Sequence, residues 1–151
     1  MVLWLIPCPR AVAPTVAITS VASGSTITFT FTFSEDPGNT FTWNGTAGDV
    51  TLSNGTLSAI AGTGVTRTAV FTPTAGVNSG TASISVSAGA YQDTAGNNGS
   101  AGGTPSLTLD TLAPTISAIA LSGSTGILNT YLNEGDTANV TVTFNEVVNL
   151  S

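Results

Sequence analysis

Thr26-Ile27-Thr28-Phe29-Thr30-Phe31-Thr32-Phe33 is the stretch whose reading decides the fold. Every second residue is large and apolar, and each residue between is a threonine. In a strand, successive side chains point to opposite faces, so Ile27, Phe29, Phe31 and Phe33 share one face and the threonines the other. Threonine suits the exposed side of a pleated surface, and phenylalanine suits the covered side. The run ends in an acidic stop at Ser34-Glu35.

The same alternation recurs elsewhere. Ile84, Val86 and Ala88 alternate with Ser83, Ser85 and Ser87, and Leu107 and Leu109 with Ser106 and Thr108. Between such runs lie turn residues. Asn54-Gly55 joins DVTLS to TLSAI and reads as a type I′ hairpin, which needs positive φ at both central residues. Gly62-Thr63-Gly64 and the stretch from Pro73 to Gly80 break the chain again. Strands are expected at 14–21, 25–34, 49–53, 56–61, 65–72, 80–88 and 104–110. Seven short antiparallel strands in about a hundred residues describe an Ig-like β-sandwich. The expected class is therefore all-β: a seven-stranded antiparallel Ig-like β-sandwich, followed by the first hairpin of a second, truncated repeat. Phe29, Phe31, Phe33, Phe71, Ile84, Val86, Leu107 and Leu109 are the expected core.

Composition narrows the function. The chain carries two basic and eight acidic residues, a net charge of −6, and no histidine. Two basic residues, Arg10 and Arg67, make no footprint for a phosphate backbone, so nucleic acid is excluded as a partner. The same deficit disfavours anionic membrane surfaces, and no apolar stretch reaches the length of a membrane span, so no insertion is expected. Without histidine the chain lacks the commonest general base and the commonest metal ligand. Cys8 is the only cysteine, which leaves neither an internal disulfide nor a thiolate zinc site. At 41% hydrophobic residues the chain still fills a core, against disorder.

The sequence also repeats itself. Ala13-Pro14-Thr15 returns a hundred residues later as Ala113-Pro114-Thr115, and FTFSE, ending at Glu35, returns as VTFNE, ending at Glu146. A period of about a hundred residues is one sandwich domain, too long for a solenoid unit. Three segments are expected: an atypical N-terminal segment at 1–10, a complete domain at 11–112, and the truncated start of a second repeat at 113–151.

These phrases, with DVTLSNGTLS, TAVFTPTAG, SAGAYQDTAGN and the linker LDTLAPT, resemble the bacterial Ig-like repeats of large secreted and biofilm-associated adhesins. The resemblance covers residues 11–151. It implies a non-catalytic module, outside the cell or at the bacterial cell surface, acting as stalk, spacer and adhesion segment. It implies as partners the neighbouring Ig-like repeats of the same chain and a host or cell-surface ligand. Some relatives bind calcium near domain junctions.

The candidate site follows from strand direction. Strands 25–34 and 80–88 end at the pole where the first strand begins. The connection after the former carries Glu35, Asp36 and, further on, Asp49; the connection after the latter carries Asp93 and Asn97. Calcium takes six to eight oxygen ligands and tolerates irregular loops, so Glu35, Asp93 and Asn97, helped by Asp36 or Asp49, are candidate metal ligands. The alternative is an ordinary polar loop in which Asp93 caps backbone amides. At the next junction Asp110 closes the last strand before the linker Thr111-Leu112-Ala113-Pro114, and Glu146 occupies the matching pole of the second repeat. A cation held by both acids would stiffen the rod; the alternative is a solvated strand end. Calcium is the cofactor expected, and no residue is expected to be catalytic. Glu35-Asp36 side by side on a strand end face opposite ways, unlike a catalytic carboxylate pair. A competing class is a carbohydrate- or receptor-binding sandwich, for which Trp43 and Tyr91 would form a sugar-stacking platform.

Overall fold

The structure, a computed structural model, describes residues 12–104, 106–125 and 132–149. The expected N-terminal segment 1–10 lies outside them. The described residues up to Thr111 form one compact unit, and those from Leu112 form a second.

All regular structure among the described residues is strand. In the first unit β1 (Val16–Ser23), β2 (Thr26–Phe33), β5 (Thr66–Pro73) and β4 (Gly55–Leu57) make one antiparallel sheet in the order β1-β2-β5-β4. The decisive run is its second strand. Phe29, Phe31 and Phe33 are buried and Thr32 is exposed, so the alternation reads as expected. Full burial of such a ring contributes about 1.5–3 kcal/mol. The register pairs Val16 with Phe33, Ile18 with Phe31 and Ser20 with Phe29.

The other layer holds β3 (Val50–Leu52), β6 (Gly80–Ala82), β7 (Ile84–Val86), β8 (Gly102–Gly103) and β9 (Leu107–Leu109). Here β3-β7-β8 and β6-β9 are hydrogen-bonded groups. The run expected at 80–88 is divided at Ser83, whose carbonyl accepts from Ser53 N (3.1 Å) and whose N–H donates to Ser53 Oγ (3.1 Å). It ends at Val86, and Ala88 is exposed. Ala82, Ile84, Val86, Val50 and Leu109 are buried in the core with the phenylalanines; Leu107 is half-buried against it. All seven core positions other than Leu107 are buried as expected. Phe41, Tyr91, Leu57, Ala69, Val16 and Ile18 complete the core. Phe33 sits between Phe41 and Tyr91 at centroid distances of 4.8 and 5.0 Å, edge to face.

One local reading fails. Asn54-Gly55 is not a hairpin turn, because β3 and β4 belong to different sheets. Asn54 has φ +54°, but Gly55 is not in the left-handed region. The pair carries the chain from one layer to the other, with Asn54 Nδ2 donating to Thr81 O (2.6 Å). Gly55 is needed for another reason: a Cβ there would overlap the ring of Phe71.

The second unit is the hairpin of β10 (Ile116–Thr125) and β11 (Thr137–Phe144). Its register pairs Ile116 with Phe144, Ile119 with Val142 and Leu121 with Val140. The first unit pairs Val16 with Phe33 at the matching place. The closing hydrogen bonds repeat as well. Thr15 O accepts from Ser34 N (2.9 Å) and Thr15 N donates to Ser34 Oγ (2.9 Å); Thr115 O accepts from Asn145 N (3.0 Å) and Thr115 N donates to Asn145 Oδ1 (2.6 Å). A bulge at Ser117 shifts the register by one, so the apolar face is Ile116, Ile119, Leu121, Val140, Val142 and Phe144.

Candidate functional site

The pole of the first unit is built by the β2–β3 connection, 34–49, and the β7–β8 connection, 87–101. Two hydrogen bonds join them: Thr40 Oγ1 donates to Gln92 O (2.7 Å) and accepts from Gln92 N (2.9 Å). The incoming chain is held at the same place. Pro14 O accepts from Ser100 N (2.8 Å) and from Tyr91 Oη (3.0 Å). Burial pushes the Tyr91 phenol above its ordinary value of 10.0 and keeps it a neutral donor. Gly99 packs against the face of this ring, where a Cβ would overlap it. Tyr91 is thus a buried latch. Its expected place on a sugar-stacking platform is wrong, because the ring is 1% exposed and wedged against Phe33 and Phe41.

Three acids of the pole, Asp36, Asp49 and Asp93, have local work. Asp93 is buried; its Oδ1 accepts from Ala95 N (2.8 Å) and Asn97 N (2.9 Å), and its Oδ2 from Asn97 Nδ2 (2.8 Å). These bonds, the Asn97 side chain first, hold the carboxyl below its ordinary 3.8. Asp36 Oδ1 accepts from Gly38 N (2.9 Å) and pairs with Arg67 Nη2 (3.4 Å). Asp49 Oδ2 accepts from Thr42 N (2.6 Å) and Thr42 Oγ1 (3.1 Å), closing the loop between them. Glu35 is exposed. Among the described residues no three of His, Cys, Asp and Glu gather closely enough to hold a metal ion. Of the candidate ligands, Asp93 and Asn97 are brought together, with both Asp93 carboxylate oxygens already accepting hydrogen bonds from Ala95 and Asn97. Asp110 follows β9 in the first unit and is exposed. In the second unit Glu146 has a buried Oε1 with no hydrogen-bond partner among the described residues.

A second feature lies beside this pole. A cleft of about 580 Å³ opens between the β2–β3 connection, which supplies Asn39, Trp43 and Asn44, and the β4–β5 connection, which supplies Ile60 and Thr63. Arg67 of β5 sits at its edge, 6% exposed. No sequence pattern pointed to a burial of Arg67 or to its role; one of only two basic residues in an acidic chain was the signal available.

The fold is a disulfide-free, two-layer antiparallel β-sandwich of the Ig-like class. A family model described as bacterial Ig-like domain matches residues 10–109, two thirds of the chain. The chain belongs to that family, as its repeated phrases implied. Searches of curated proteins and of solved structures each returned no match. Domains of this family are typically non-enzymatic and are generally displayed outside the cell or at its surface. No helix among the described residues is long and apolar enough to cross a membrane.

Proposed function

We propose that the chain is a repeat module of a bacterial surface or secreted adhesin, serving as stalk, spacer and adhesion segment. The observation that carries this reading is the second copy of the β1–β2 hairpin, matched in its first strand pair, Ile116 with Phe144 as Val16 with Phe33, and in the closing Thr115–Asn145 hydrogen bonds. A unit that begins again a hundred residues on, after the short linker Leu112-Ala113-Pro114, is the grammar of a tandem array. Proline in that linker restricts the residue before it and stiffens the joint.

The test is a concatemer of residues 12–111 joined through this linker. Its radius of gyration by X-ray scattering should grow almost linearly with repeat number. Growth as a compact globule would overturn the spacer reading. Beads coated with the concatemer test adhesion to cell surfaces.

Calcium belongs to this proposal as a stiffener. Its support is the oxygen chemistry of Glu35 and Asp36 at one pole, and the Oε1 of Glu146, which has no hydrogen-bond partner among the described residues. Melting curves of the 151-residue chain in millimolar calcium and in chelator decide it. Binding to the folded state raises the midpoint, and superimposable curves would remove calcium.

A further inference from the structure

We propose that the Trp43 cleft is a binding site for a neutral saccharide, seated with the apolar face of a pyranose ring on the indole. This goes beyond the module reading, which stands whether or not the cleft is filled.

Three observations support it. The first is the indole itself. Phe29, Phe31, Phe33, Phe41, Phe71 and Tyr91 are all buried in the first unit, whereas Trp43 keeps part of its surface in the cleft. It is also held. Its Nε1 donates to Leu57 O (3.3 Å) and its carbonyl accepts from Ile60 N (2.9 Å). The 42–49 loop that carries it is closed by Asp49 on Thr42 and by Asn44 Oδ1, which accepts from Thr46 N (2.9 Å) and Ala47 N (2.8 Å). A ring fixed before binding loses little freedom on binding.

The second observation is Arg67. Its guanidinium donates to Gly38 O (3.2 Å) on one wall and to Gly64 O on the other. One buried cation therefore ties both loops and sets the width of the cleft. Its charge is met by Asp36.

The third is what remains for a ligand. The open wall positions are the amides of Asn39 and Asn44 and the hydroxyl of Thr63, beside apolar surface from Trp43 and Ile60. Asn44 commits its Oδ1 to its own turn, so its contribution is the NH₂ donor. No unmatched charge lines the cleft, and a chain of net −6 repels anions. Hydroxyls against amides, with a C–H face against an aromatic face, describe a neutral sugar. The volume lies within the range of small-ligand sites, roughly 300–1,000 Å³.

The experiment uses the 151-residue chain, ¹⁵N-labelled, titrated with lactose, maltose and cellobiose, and separately with sialyllactose and with a neutral glycine-rich peptide. The indole signal of Trp43 is told from that of Trp4 in a Trp43→Phe variant. The expected result is saturable movement of the Trp43 indole and of the Asn39 and Thr63 amides with at least one neutral disaccharide, in the millimolar range. Trp43→Ala should abolish it. Asn39→Ala, at an exposed position, should weaken it several-fold with an unchanged melting curve, which separates lost contact from lost fold. No saturable shift with any of the three sugars overturns the proposal. So does a response confined to sialyllactose or to the peptide, or one that survives Trp43→Ala.

Discussion

At the scale of the residue, burial decides which positions the fold depends on. Phe31 is 0% exposed, and Thr32, its neighbour, faces solvent. Phe31→Ala should lower stability by about 3–5 kcal/mol, the range for emptying an aromatic site. Thr32→Ala should cost far less in the same denaturant titration; equal losses would put the wrong face of β2 inside. Asp93 allows a sharper distinction. As a turn cap it stabilises with or without metal, so Asp93→Ala should lower the melting midpoint by the same several degrees in calcium and in chelator. A loss seen only in calcium would make it a ligand instead. Its lowered carboxyl value has a pH consequence. The contribution is complete above the ordinary 3.8 and fades as the pH falls through the lower native value. In the Asp93→Asn variant that part of the acid transition should disappear. The period-two pattern made the phenylalanines legible at this scale. It gave no sign that Tyr91 turns inward, because its burial is set by Pro14, 77 residues away, and by the bare face of Gly99.

At the scale of the element, short-range signals identified strands better than they identified partners. The run 25–34 became β2 because nothing competed with its alternation. Asn54-Gly55 has the chemistry of a tight hairpin, yet its flanking strands enter different sheets. What wins is packing across the sandwich: Leu57 and Phe71 are buried on the β4–β5 side and Val50 and Val86 on the other. The two readings predict different mutants. A type I′ turn needs only a positive φ at its second position, which Asn adopts more readily than other non-glycine residues, whereas Gly55 is the floor beneath the Phe71 ring. Gly55→Ala and Gly55→Asn should therefore both destabilise by about 1–3 kcal/mol, the cost of overpacking. A neutral Gly55→Asn would restore the hairpin. The acids of the pole show the same limit. Strand direction placed the β2–β3 and β7–β8 connections together, and Thr40 and Gln92 join them. Which carboxylates would already be spent on Thr42, Gly38 or Asn97 was set by loop conformations that no periodicity records.

At the scale of the molecule, the repeated phrases were the most readable feature, since two anchors in the same order survive any local ambiguity. Register and hydrogen bonds now extend the correspondence from letters to geometry: Phe144 stands to Ile116 as Phe33 stands to Val16. The difference is cover. Phe29 and Phe31 are 1% and 0% exposed under the second layer, while their counterparts Val140 and Val142 are 61% and 40% exposed. Two strands alone are marginal in water, so amides of β10 and β11 should exchange far faster than those of β2 and β5. If the hairpins are equivalent, β10–β11 can stand in for β1–β2. A chimera of residues 112–146 followed by 36–111 gives it the layer that covers β2 in the first unit. This chain should unfold cooperatively, with Ile119, Leu121, Val140 and Val142 protected from exchange. It should be about 2–5 kcal/mol less stable than residues 12–111, because valines replace Phe29 and Phe31 and refill those sites only in part. A chimera that stays unfolded while residues 12–111 fold would show that the two hairpins share letters and a closing pair but not a role.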